Sequence, residues 1–151
     1  MAQKDILMRK TIEYLDSQGW RYSRNDNRIT FSLSISGKIS RCDMEIQVID
    51  SGIYACGTCP LNASKDVYNT VVEYITRANY GMTLGCFEFD YRDGEISFRD
   101  FLVAKEGVPS ITDIERVVDT PFVMMRKYGD GLVKSLMGFG DPERDIEDAE
   151  S

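Results

Sequence analysis

The chain has 151 residues, 42% of them hydrophobic, which suits one packed core and is small for two. Its formal net charge is −7 and it contains no histidine. That excludes a basic nucleic-acid footprint, Ser-His and Cys-His nucleophilic pairs, histidine metal ligands and the usual neutral-pH proton shuttle.

The charge is unevenly placed. Residues 141–151 hold six carboxylates against Arg144, which is five of the seven net negative charges. The remaining body has the balance of an ordinary globular surface. No stretch approaches the ~18 consecutive apolar residues that span a bilayer. Charges at Lys4, Asp5, Arg9 and Lys10 leave no room for a signal-peptide core. The expectation is a cytoplasmic protein with reduced cysteines, and neither membrane nor nucleic acid as partner.

In chain order, Met8, Ile12 and Leu15, flanked by Leu7 and Tyr14, form the stripe of a helix over residues 5–18, stopped by Gly19. Ile29, Phe31, Leu33 and Ile35 then alternate with Thr30, Ser32, Ser34 and Ser36, the pattern of a half-buried strand. Gly37 turns the chain into a strand through Met44, Ile46 and Val48. Ser51-Gly52 turns it again into a third over 53–57, with 21–24 able to add a short lead-in. After Pro60 a second helix runs from about Ser64, with Tyr68, Val71, Val72 and Ile75 on one face. Asn79 falls in phase with them. As a helix-end residue before Gly81 it is expected to bond loop backbone, with ligand binding as the lesser reading.

A hairpin follows. With Asp93-Gly94 as a two-residue turn, Phe89 faces Phe98 and Glu88 faces Arg99. Phe87, Phe89, Tyr91, Ile96 and Phe98 then share one face; Leu84, Cys86, Phe101 and Val103 share the other. A hairpin apolar on both faces needs helices on one side and something else on the other. Leu84, Cys86, Phe101 and Val103 are therefore the predicted protein interface.

Thr112 with Glu115 fits a capping box for a third helix, which Pro121 should kink or split. Ile114, Val118, Pro121, Met125, Tyr128, Leu132, Leu136 and Phe139 nevertheless keep one phase, predicting two collinear or slightly bent segments. Gly129-Asp130-Gly131 and Gly138-Phe139-Gly140 lack the strand-before-helix context of a phosphate loop and read as helix interruption and termination. The division predicted is a single domain over 1–140 and a disordered acidic tail over 141–151. The fold class is α+β, an antiparallel sheet with flanking helices in the order α-β-β-β-α-β-β-α.

Chemistry is sparse. Cys56-Gly57-Thr58-Cys59 has redox spacing, but Pro60 to Ala63 separate it from the next helix, and in extended chain its two sulfurs oppose. A zinc site from Cys42, Cys56, Cys59 and Cys86 would need two close pairs, and one exists. Buried, inert thiols are the favoured reading. Glu88 and Asp90 share a side of their strand, where Arg99 makes a cross-strand salt bridge more economical than an acid/base pair. No catalytic residue and no cofactor is predicted.

The run Arg77-Ala78-Asn79-Tyr80-Gly81, then Gly85-Cys86-Phe87-Glu88-Phe89-Asp90-Tyr91, Asp93-Gly94-Glu95-Ile96-Ser97-Phe98-Arg99 and Ile111-Thr112-Asp113-Ile114-Glu115, resembles the YbjN family of bacterial proteins. The similarity is most specific over residues 74–140; over 1–60 it is carried by element order alone. It implies an α+β fold like that of type III secretion chaperones, commonly dimeric, in a family labelled as candidate sensory transduction regulators. It brings no catalytic residues, and the Cys56/Cys59 pair departs from it. The function expected is a non-enzymatic protein-binding or regulatory module acting as a homodimer with an unidentified client. The alternatives are a redox or zinc protein using Cys56 and Cys59, and a small-ligand sensor around Asn79.

Overall fold

The computed structural model describes residues 2–105 and 107–151. Alternating apolar residues build six strands: β1 (Ser23–Asn25), β2 (Arg28–Ser34), β3 (Arg41–Ile49), β4 (Gly52–Thr58), β5 (Cys86–Asp90) and β6 (Glu95–Val103). They form one sheet in the order β1-β2-β3-β4-β6-β5, antiparallel at every pairing. Four α-helices occur among the described residues: α1 (Gln3–Ser17), α2 (Tyr68–Asn79), α3 (Ile111–Leu136) and α4 (Pro142–Glu150). A short 3-10 turn, Lys65–Val67, leads into α2. The fold is α+β, with the first strand and last helix added to the predicted order.

The core lies between the helices and one sheet face. Ile29, Met44, Ile46, Ile53, Ala55, Ile96 and Phe98 point into it and are buried. So does Gly57, and its missing side chain matters: a Cβ there would stand 2.7 Å from Cys42 Sγ and 3.1 Å from Pro121 Cβ. The glycine lets α3 sit down on the sheet. Trp20 closes one end, stacked on Phe31 at 5.5 Å and edge-on to Phe122 at 5.7 Å.

α3 runs unbroken through Pro121, correcting the expected split. Proline forfeits one backbone bond, but Pro121 is buried against the sheet, and packing along the shared apolar phase holds the helix through it. The cap is Ser110, whose hydroxyl accepts from the Asp113 N–H at 3.1 Å, not Thr112. Gly129 and Gly131 do not interrupt the helix either. They admit close neighbours: a Cβ on Gly131 would lie 2.4 Å from the Tyr74 hydroxyl, which donates to the Tyr128 carbonyl at 2.6 Å. Gly138, at φ +86°, follows the helix end.

The hairpin register also differs. Phe87 faces Phe98, Phe89 faces Ile96 and Asp90 faces Glu95, so the loop is four residues, Tyr91 to Gly94. Gly94, at φ +78°, donates its N–H to the Asp90 carbonyl and lies so close to Ala63 that a Cβ would meet its carbonyl oxygen at 2.2 Å. The register moves by two residues, so the side chains on β5 and β6 keep their predicted faces, while Tyr91 moves into the loop.

The tail is not disordered. Asp141 caps α4 by accepting from the Arg144 N–H, Pro142 occupies its first turn, and the helix packs on α2 and α3. Ile146 is buried against them, and the Tyr128 hydroxyl donates to Glu150 at 2.7 Å. One apolar anchor plus these polar contacts suffices where hydrophobic content alone does not.

Candidate interaction surface

The strands that bury one face present the other to solvent, and among the described residues no helix covers it. Pairing sets its rows. Glu45, Cys56, Arg99 and Cys86 lie abreast across β3, β4, β6 and β5; Gln47, Tyr54 and Phe101 form the next row. Arg99 is the hub. Its Nε stands 2.7 Å from Glu88 Oε1, and its guanidinium lies over the Tyr54 ring at 5.1 Å. Tyr54 meets Phe101 edge-on at 5.3 Å. Towards β2 the surface is polar, with ion pairs Arg28–Glu45 and Arg41–Asp43.

The apolar part is concentrated at one end. An open depression of about 630 Å³ is lined by Ile49, Tyr54, Leu84, Gly85, Arg99 and Phe101. A second, of about 330 Å³, lies beside it among Glu45, Gln47, Tyr54, Cys56, Glu88 and Arg99. The structure thus brings Leu84 and Phe101 to one depression. Val103, 58% exposed, lies two residues beyond Phe101, and Cys86 stands opposite Arg99. Sequence reasoning missed Tyr54 and Ile49; their parity along β3 and β4 was the available signal.

Asn79 has a structural assignment. Its amide nitrogen donates to the Phe87 carbonyl at 3.0 Å and its oxygen accepts from the Phe87 N–H at 2.7 Å. The side chain serves the backbone of β5, in keeping with the expected backbone role.

The cysteines divide between the faces. Cys42 and Cys59 are buried; Cys56 is on the open face and Cys86 is exposed there. Burial pushes the Cys42 thiol up to about 12 and raises Cys56 and Cys59 as well. These are the opposite of the depressed values a redox pair needs. Cys56 lies on the open face of β4, and Cys59, just past the strand's end, is buried in the core. Among the described residues no group of three or more His, Cys, Asp or Glu side chains is placed to hold a metal. Asp90 is engaged by Arg92, whose side-chain hydrogen bonds hold its carboxyl below the usual range. Glu88 and Asp90 therefore each have an arginine partner.

Among the described residues no helix is long and apolar enough to cross a membrane. No protein-family model matches the chain, and no curated protein matches its sequence. A solved structure does: YbjN from E. coli, described as a candidate transcription regulator, is similar with a TM-score of 0.54 at 12% identity, over 76% of this chain and 82% of that one. The chain has a YbjN-like α+β fold.

Proposed function

We propose that this protein is a non-enzymatic, chaperone-like regulatory module that works in the cytoplasm as a homodimer joined through the open sheet face. The observation that carries the reading is the apolar end of that face, where Leu84, Phe101 and Val103 stand exposed or half-exposed beside Tyr54. A two-fold interface would bring this strip against its own copy and bury it economically. The regulatory part rests on fold similarity to a protein described as a candidate transcription regulator. A client polypeptide is the second partner of the module.

Sedimentation velocity at micromolar concentration tests the dimer. The unaltered protein should sediment as a dimer, and Leu84→Asp or Phe101→Asp should shift it to monomer, because an unpaired carboxylate costs on the order of several kcal/mol to bury. A monomer from the unaltered protein sinks the dimer.

A further inference from the structure

α4 is a nine-residue helix whose only large apolar residue is Ile146. Isolated helices of that length do not persist in water, so its helicity comes from the surface it rests on. That surface is shaped for it. Ile146 is 8% exposed between α2 and α3, and Ala149 packs beside it. Asp145, 4% exposed, lies 3.6 Å from Lys134 Nζ, and Asp148 borders the same hollow with Lys38 and Lys127. On the other flank Arg77 lines a depression of about 600 Å³ with Ile146 and Glu150. Four cations from three separate parts of the chain thus border a helix whose charges are five acids and one arginine, with Arg77 also paired to Glu73 at 2.8 Å.

The connection before α4 is short and glycine-rich, with Gly140 close against Ser135 of α3. Gly138 takes φ +86°, Gly140 follows, and Asp141-Pro142 starts the helix. α4 lies along both α2 and α3, but its side-chain hold is narrow: one buried aliphatic anchor with Ala149 beside it, an ion pair and the Tyr128–Glu150 bond. Elements with so little burial are the first to open.

We propose that the α2–α3 surface is a receptor for an acidic amphipathic helix with a single branched aliphatic anchor, and that α4 is its resident competitor, displaced by a partner protein carrying a helix of that kind. Recognition is helix-in-groove, with Ile146 marking the anchor position and Arg77, Lys127 and Lys134 supplying charge complementarity. This surface lies behind the sheet, so its use does not depend on the open face. The intramolecular copy enjoys a high effective concentration, which sets a threshold that only a well-matched partner exceeds.

The experiment uses the full chain and a fluorescein-labelled peptide of residues 141–151, read by anisotropy. Ile146→Asp in the chain should release α4, and that variant should bind the peptide at least tenfold tighter than the unaltered chain. Lys127→Glu with Lys134→Glu in the same background should abolish the gain, and a peptide carrying Ile146→Asp should not bind. Equal binding by the altered and unaltered chains, or none by either, overturns the proposal. Peptide uptake that appears only as α4 exchanges between two copies in a dimer assigns the surface to self-association, and overturns it too. Should Ile146→Asp fail to fold, hydrogen exchange on the unaltered chain decides. Amides of α4 should exchange at least tenfold faster than those around Leu132 in α3, and equal protection overturns the proposal.

Discussion

β6 carries the two faces of the sheet on one strand. Ile96, Phe98 and Asp100 point to the helices and are at most 5% exposed, whereas Arg99 and Phe101 stand half in solvent on the other side. On the covered face even the intruding charge is provided for: Arg116 donates to Asp100 at 2.7 Å. On the open face polar groups hold one another in exposed pairs, which contribute little. Folding stability resides on one side, so the other side is free to be composed for binding.

The largest expected effect tests that division directly. Phe98→Ala should cost about 3–5 kcal/mol in urea denaturation, while Phe101→Ala, three residues along, should cost under ~1 kcal/mol at protein concentrations too low for dimerisation. Similar losses would mean the two faces share the work of folding.

Asn79→Ala comes next. It leaves the Phe87 N–H and carbonyl without their partner and should cost about 1–3 kcal/mol. No change would mean water replaces the amide without penalty.

Arg99→Ala should cost under about 1 kcal/mol, and the difference should shrink further at high salt, as for other exposed pairs. A larger, salt-independent loss would make Arg99 part of the core after all.

The smallest effect at neutral pH belongs to the buried thiol. Cys42 holds its proton to about 12 in the folded state against 9.0 for the free group. The native state therefore binds more protons through that window. The stability this thiol contributes is complete below pH 9 and drains away as the pH rises towards 12. Denaturation midpoints followed from pH 8 to 11 should fall, and Cys42→Ala should flatten the slope.

Much of this architecture was legible. The alternation of Ile29, Phe31 and Leu33 and the single phase from Ile114 to Leu132 are strong signals because burial imposes one period over many residues. The sides of Cys86, Phe101 and Val103 were legible for the same reason: parity along a strand survives a register error of two, whereas Leu84 lies before β5 and is placed by the turn at Gly85. The error itself came from reading Asp93-Gly94 as the whole turn, when Gly94 closes a longer loop held against Ala63. That contact spans the chain and leaves no local mark. α4 was illegible in kind. Its docking depends on where Tyr128, Lys134 and Ile146 meet in space, and composition sees only an acidic stretch with one aliphatic residue.

The Asn79 amide has a further consequence. β5 is the outermost strand at one margin of the sheet, and the Phe87 backbone that would recruit a neighbouring chain is already occupied by a side chain that cannot be extended. At the opposite margin β1 offers only three residues, too few to template another strand. Strand addition is therefore hindered at Phe87 on one margin and along Arg28–Thr30, which β1 covers, on the other. The proposed two-fold contact through the flat of the sheet is of the kind that closes on itself, so growth by it would stop at two copies.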